Sequence, residues 1–191
     1  MSALRSVLAA GLLACHPLAY AGQWLSVPAQ SALRFSASYQ GVPVQGTFHR
    51  FEVRWWVPRS SPRTASLRVR VFVASADMES HDLTRTIEGP IWFDARSFPQ
   101  AVYSAHAITQ PRPGHYLASG ILRLKGIAKP VRVAFTWHAS GDSGTLAGTL
   151  TLRRTDFGIG TGQWASGDPI GRDVVVTFHV QLKRAAVASR P

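Results

Sequence analysis

The sequence predicts a single all-β domain of antiparallel strands, either a sandwich or a barrel. Three observations lead to this prediction. Apolar and polar residues alternate with a period of two in several segments, which is typical of strands with one buried face. Turn-forming residues separate these segments at regular intervals. Only one short stretch reads as a helix, so the chain lacks the alternating strands and helices of a parallel sheet.

The alternation marks about eight strands. In the clearest example, Val131, Val133 and Phe135 alternate with Arg132 and Thr136. The other clear segments are 33–39, 67–73, 146–153 and 174–183, and the weaker candidates are 43–57, 101–108 and 115–125. The turns between them fall at Gly41, 58–62, 111–114, Gly126 and 141–144.

One segment, residues 78–88, does not alternate. Leu83 and Ile87 lie four residues apart, and the segment stops at Gly89-Pro90. This pattern predicts a short helix with a glycine terminator. Residues 185–191 are expected to form a flexible tail.

Residues 1–21 have the layout of a secretory signal peptide. Arg5 precedes an apolar run that is too short to span a bilayer, and a small-x-small cleavage site follows at Ala19-Tyr20-Ala21. The protein is therefore expected to be exported and to begin at Gly22 after cleavage. The alternative is lipidation at Cys15, the only cysteine of the 191 residues, which also excludes an internal disulfide.

The formal net charge of +11 invites a nucleic-acid interpretation. However, the arginines are spread along the chain on the polar faces of strands, whereas nucleic-acid binders concentrate Lys and Arg on one element beside exposed aromatic residues. The charge is better explained as a solvated exterior, and no nucleic-acid partner is predicted. Weak attraction to anionic membrane surfaces or to phosphorylated ligands is left open.

Two motifs resemble catalytic loops but lack the required partners. Gly141-Asp142-Ser143-Gly144 is similar to a protease nucleophile loop with His106 as its base, yet the only acid between them adjoins the serine. A hairpin tip explains it better. The glycine-rich segment 158–162 lacks the Lys-Ser/Thr and the helix of a phosphate-binding loop, so a wide, mobile loop is predicted.

The histidines show none of the common metal-ligand spacings. No metal, cofactor or catalytic residue is therefore predicted. The surplus of large aromatic residues has two explanations, a filled core or a binding cavity. An eight-stranded barrel is just wide enough to hold one apolar ligand.

Nine short segments suggest a family by their order along the chain. They are Ser31-Ala-Leu-Arg-Phe35, Gly41-Val42, Gly46-Thr-Phe48, Ala74-Ser-Ala-Asp77, Gly89-Pro-Ile-Trp-Phe-Asp-Ala95, Phe98-Pro99, Gly120-Ile-Leu-Arg-Leu-Lys-Gly126, Lys129-Pro130 and Arg154-Thr-Asp-Phe-Gly-Ile-Gly160. Together they resemble the YceI-like family of periplasmic polyisoprenoid-binding proteins. The resemblance covers nearly the whole chain after residue 21, with a departure at Leu83-Thr-Arg-Thr86.

The resemblance implies a lipocalin-like, eight-stranded antiparallel barrel over residues 22–184, located in the periplasm. Its interior would take up a long isoprenoid or a similar amphiphilic lipid without catalysis. The residues predicted to line the cavity are Phe35, Phe48, Trp92, Phe93, Phe157 and Trp164. The predicted donors to a ligand head group are Arg85, Arg154 and the amides of residues 158–162.

Two other functions stay open. An enzyme could use the same cavity, in which case polar groups with perturbed pKa values should cluster inside the barrel. A non-catalytic envelope stress or interaction protein should instead show a large apolar surface patch and no cavity. Peripheral membrane contact and a homodimer are left open as well.

Overall fold

The computed structural model describes residues 22–58 and 65–185, and every structural statement below refers to these residues. The predicted signal peptide with Cys15, most of the predicted turn after residue 58, and the end of the predicted tail lie outside them.

The described chain is mostly β-strand, with one α-helix. The strands are β1 Gly22–Ser26, β2 Ala32–Tyr39, β3 Val42–Phe48, β4 Phe51–Val57, β5 Ser66–Phe72, β6 Ala76–Asp77, β7 Gln100–Arg112, β8 His115–Leu124, β9 Ile127–Ser140, β10 Ser143–Arg153 and β11 Ile170–Arg184. The helix α1 spans His81–Glu88 and follows β6.

Every strand pairing is antiparallel, and eight strands close into a ring. Their order is β1, β4, β5, β7, β8, β9, β10 and β11, and β11 returns to β1 with Trp24 opposite Arg184. The long β11 has a second partner, because its first part, from Ile170 to His179, pairs with β2. Strands β3 and β6 extend the sheet from β2. The predicted barrel is confirmed, and ring closure excludes the open sandwich.

Two differences from the predicted strands have local causes. The candidate 43–57 is two strands, because the chain reverses at His49-Arg50 between β3 and β4. Strand β1 was not predicted, since in its five residues only Trp24 is buried and no alternation is visible.

The predicted helix is present, but its terminator works differently. Ser80 caps its start by accepting a hydrogen bond from the Leu83 amide at 3.5 Å. Gly89 ends the helix at φ −68° and ψ 169°, which is extended and not left-handed. Pro90 explains this, since a residue before proline is driven out of the helical region. No helix in the described part of the chain is long and apolar enough to cross a membrane.

Large aromatic side chains fill one end of the barrel, which we call the closed end. The cluster consists of Trp24, Trp55, Tyr116, Phe135 and Trp137. Its rings meet mainly edge to face, with centroids 4.9 Å apart for Trp24–Trp137 and 5.6 Å for Trp55–Phe135. The space for the Trp137 ring comes from Gly144 on β10, where a Cβ atom would overlap that ring. This end therefore has no room for a ligand.

Candidate ligand-binding site

The other end of the barrel contains a cavity of about 860 Å³. Its walls are the inward residues of the strands beyond the aromatic cluster, among them Val53, Val69, Val133, Leu150 and Val176. The lining is almost wholly apolar because these residues occupy the inward positions of the alternating pattern. The volume falls in the range of pockets for small organic ligands.

Helix α1 and the segment after it form the mouth of this cavity. Leu83, Thr86 and Ile87 share the helix face that lines the cavity. Leu83 is 45% exposed and Ile91 is 48% exposed, although both line the cavity. The mouth is thus an apolar rim that reaches the solvent.

All six aromatic residues predicted to line a cavity do line it. Phe35, Phe48 and Phe93 form one group, with ring centroids 4.9 to 6.3 Å apart. Trp92 and Trp164 form a second group at 6.1 Å, and Phe157 also lines the cavity. Contact of these side chains with a ligand stays a prediction.

The predicted head-group role of Arg154 is not supported by its contacts. The guanidinium donates to five backbone carbonyls. Its Nε donates to the Gly171 carbonyl at 2.8 Å, and each of its two terminal nitrogens donates to two more, those of Ile159, Gly160, Trp164 and Ile170. All five guanidinium N–H groups are therefore used within the protein. Arg154 is 3% exposed, and burial lowers the pKa of its guanidinium, with a further lowering by the charge of Arg172.

Arg85 does not line the cavity, and its role as a head-group donor stays a prediction. It lies on an exposed face of α1, where its terminal nitrogen is 3.3 Å from His81 Nε2. The cause is helical geometry. Leu83 and Ile87 turn toward the cavity, and a residue two positions from each of them points away from it.

The first part of the glycine-rich segment 158–162 is packed, with Ile159 and Gly160 buried, whereas Thr161 and Gly162 are exposed. Lys125, in the turn between β8 and β9, holds it, because its Nζ donates to the Gly158 carbonyl at 2.8 Å and to the carbonyls of Pro90 and Ile91 at 2.7 and 3.2 Å. The amides of residues 158–160 already donate to backbone carbonyls, whereas the head-group role of the amides of Thr161 and Gly162 stays a prediction. Burial lowers the pKa of Lys125, and the charge of Asp94 opposes this.

Lys125 and Arg154 together therefore clamp the loops at the mouth, a role that the sequence reasoning missed. Both residues lie inside segments that carry the family resemblance, at 120–126 and 154–160. The sequence signal that could have indicated this role is that Lys125 and Arg154 stand among glycines and large aromatic residues. A long cationic side chain fits there when carbonyls need donors.

Few polar groups face the cavity itself. Tyr103 lies on its wall, and its hydroxyl donates to the Ala118 carbonyl at 3.0 Å. Burial raises the pKa of Tyr103 to about 12. Among the described residues, no His, Asp, Glu, Lys or Cys lines the cavity, and no group of three such residues is placed to hold a metal ion.

Two segments that contribute residues to the cavity mouth carry most of the acidic residues. Segments 77–94 and 156–173 contain eight of the ten Asp and Glu residues, and only Glu52 and Asp142 lie elsewhere. The same segments contain two Arg residues, Arg85 and Arg172, and the Arg154 and Lys125 side chains are already engaged with carbonyls. The mouth thus offers an anionic head group little electrostatic attraction.

A closed eight-stranded antiparallel barrel with one apolar cavity defines a lipocalin-like protein, a class whose interior is wide enough for a single ligand. Within that class the chain belongs to the YceI-like family, because the model of the YceI-like domain matches residues 24–182. The resemblance seen in the sequence is therefore confirmed.

Relatives and solved structures agree with this assignment. A UPF0312 protein of Pseudomonas putida strain W619 is 26% identical over 139 residues, which cover 70% of this chain and 72% of the relative. The structure of Burkholderia cenocepacia BcnA is similar with a TM-score of 0.77 and 29% identity, over 82% of this chain and 98% of that one. A polyisoprenoid binding domain from Saccharophagus degradans shares the fold, with a TM-score of 0.67 and 13% identity over 87% and 100%.

Proposed function

We propose that this protein is an exported carrier or sequestering protein that holds a polyisoprenoid or a similar long-chain lipid inside the barrel. The observation that carries the proposal is the apolar cavity of about 860 Å³ above a closed end filled by aromatic rings. The Saccharophagus degradans neighbour, described as a polyisoprenoid binding domain, supports the same ligand class.

The lining favours a hydrocarbon chain for energetic reasons. Each buried methylene contributes about 0.8 kcal/mol, so ten such carbons contribute roughly 8 kcal/mol before the costs of association. This needs no hydrogen bond from the wall, and residues such as Val69, Leu150 and Val176 offer none. A branched isoprenoid chain suits a wall of branched aliphatic and aromatic side chains.

The mouth favours a lipid with an uncharged head. The Arg154 and Lys125 donors are used by carbonyls, and the segments that contribute to the opening are rich in acidic residues. A phosphate or pyrophosphate head would lose part of its hydration there and would meet segments in which eight acidic residues outnumber two arginines. We therefore infer that an uncharged prenyl lipid, such as an alcohol or a quinone, binds better than a prenyl phosphate.

Binding is better supported than catalysis by the same lining. Of the described residues that line the cavity, three are ionisable: Tyr39, Tyr103 and Arg154. Tyr103 and Arg154 are hydrogen-bonded within the protein. No nucleophile and base lie together there, as an enzyme acting on a buried substrate would need. An interaction protein was expected to lack a cavity, so the cavity disfavours that alternative.

Export to the periplasm is part of the proposal and rests on residues 1–21. N-terminal mass spectrometry of the protein from a periplasmic extract tests it. A chain beginning at Gly22 supports cleavage by signal peptidase, and a lipidated Cys15 supports membrane anchoring. A full-length chain found only in the cytoplasm contradicts export.

Native mass spectrometry and solvent extraction of the purified protein test the ligand. The sharpest variant is Val176→Trp, which places a large ring inside the cavity. Val175→Trp is its matched control, because the neighbouring side chain points outward and is 40% exposed. We expect the first variant to retain at least about tenfold less prenyl lipid than the second. Equal retention, or a wild-type protein that takes up no lipid, contradicts the proposal.

A further inference from the structure

Two arginines face each other on the outer wall of the barrel near its closed end. Arg54 on β4 lies directly opposite Arg68 on β5, and both side chains are exposed. Like charges in such cross-strand pairs destabilise a sheet. The nearest acid in the register, Glu52, pairs with Arg70 at 3.5 Å. Within the described chain, neither Arg54 nor Arg68 has a carboxylate partner.

A shallow pocket of about 190 Å³ surrounds this pair. Its floor is formed by adjacent strands, since Gln23 is opposite Trp56, Trp56 is opposite Ser66, and Arg68 is opposite Ser104. The residues that line it are Gln23, Arg54, Trp56, Ser66, Leu67, Arg68, Ser104 and His106. Two guanidinium groups, two hydroxyls, an amide and an imidazole therefore converge on one outward depression without an acid.

We propose that this pocket is an anion site that binds a phosphate group. Guanidinium groups match the oxygens of a phosphate with paired charge-assisted hydrogen bonds, and the hydroxyls of Ser66 and Ser104 add further donors. Trp56 is 43% exposed beside the pair and offers an apolar ring to the part of the ligand that carries the phosphate. A bound anion would also relieve the repulsion between Arg54 and Arg68.

The site is separate from the lipid cavity and goes beyond the proposed function. Leu67 on β5 borders both the cavity and the pocket. Arg54 on β4 and Arg68 on β5 point to the outer face of the barrel, away from the cavity. Most acidic residues lie in the two segments that contribute to the mouth, whereas this pocket holds only cations and neutral groups. The phosphate belongs either to a soluble phosphate ester or to a lipid head group, which offer the same chemistry.

Two binding measurements distinguish these sources. Isothermal titration calorimetry with inorganic phosphate and pyrophosphate tests the soluble ligand. Co-sedimentation with phosphatidylcholine vesicles, with and without phosphatidylglycerol, tests the lipid head group. Each is repeated with the double variant Arg54→Gln/Arg68→Gln and with the control Arg34→Gln/Arg132→Gln. The control removes the same charge from two exposed strand positions outside the pocket.

We expect the pocket variant to weaken binding at least about tenfold and the control to change it less than about twofold. Phosphate should also raise the melting temperature of the wild-type protein and not that of the pocket variant. Absence of binding in both measurements, or equal losses in the two double variants, overturns the proposal. Lipid retention in the cavity should be unchanged in the pocket variant, so a failure here is distinguishable from a failure of the proposed function.

Discussion

The two ends of this barrel share the same strands but differ in the size of their inward side chains. Along β9 the inward residues run from Val131 and Val133, which line the cavity, to Phe135 and Trp137, which fill the closed end. On β4 the cavity-lining Val53 is followed by Trp55. The backbone architecture thus permits a cavity anywhere, and the side chains decide at which end it lies.

This difference assigns separate tasks to the two ends. The closed end supplies stability, because its rings are packed on all sides and lose much contact if one is removed. The mouth end is less densely packed than the closed end, because the cavity leaves space for a ligand there. Its loops are held instead by the hydrogen bonds of Arg154 and Lys125 to carbonyls.

The largest effect is expected for Trp55→Ala at the closed end. Trp55 is fully buried and contacts the rings of Tyr116, Phe135 and Trp137. Truncation should lower the free energy of unfolding by about 4 kcal/mol, measured by urea denaturation. Trp55→Phe should cost much less, since the Trp55 indole nitrogen has no hydrogen-bond partner among the described residues. Similar losses in both variants would show that ring packing is not what stabilises this end.

Arg154→Met tests the mouth end and ranks second. The change removes five donors and leaves their backbone acceptors buried, so the expected loss is about 3 kcal/mol. Arg154→Lys is the control, because it keeps the charge but has fewer donors, and it should recover only part of the loss. Lipid retention should fall together with stability. A stable Arg154→Met variant that no longer binds a prenyl phosphate would restore the head-group role.

The sequence predicts the strands well because alternation reports directly which face of each strand is buried. The same pattern placed Phe35 on an inward face, and the structure puts it on the cavity wall. It could not separate the roles of the arginines. Whether Arg154 meets a ligand or a carbonyl depends on how the loops at 89–93 and 158–171 fold around it, and that is a tertiary contact without a local pattern.

A pair of matched truncations measures the difference between the ends directly. Leu182 is fully buried at the closed end, and Leu150 lines the cavity on the neighbouring strand. In ligand-free protein, Leu182→Ala should cost about 2 kcal/mol more than Leu150→Ala, because the second side chain already borders free space. Added lipid should stabilise the wild-type protein more than the Leu150 variant. Equal costs in ligand-free protein would mean that the two ends are equally well packed.

The smallest effect concerns Tyr103, which lies where the cavity meets the filled core. Tyr103→Phe removes hydrogen bonds to the Ala118 and Val131 carbonyls and should cost about 1 kcal/mol at neutral pH. The variant should also change the alkaline behaviour. Burial raises the pKa of Tyr103 from 10.0 in the unfolded chain to about 12 in the fold. Between those values the unfolded chain releases the phenol proton first.

Stability should therefore be intact below pH 10 and fall as the pH rises toward 12, with a shallower fall in the phenylalanine variant. The difference between the two denaturation profiles isolates Tyr103, because burial also raises the pKa of Tyr116, which both proteins keep. Parallel profiles would mean that water reaches the Tyr103 hydroxyl through the cavity. In that case the part of the interior that excludes water would begin at the rings around Trp55. The cavity would then extend further toward the closed end than the packing of Tyr103 indicates.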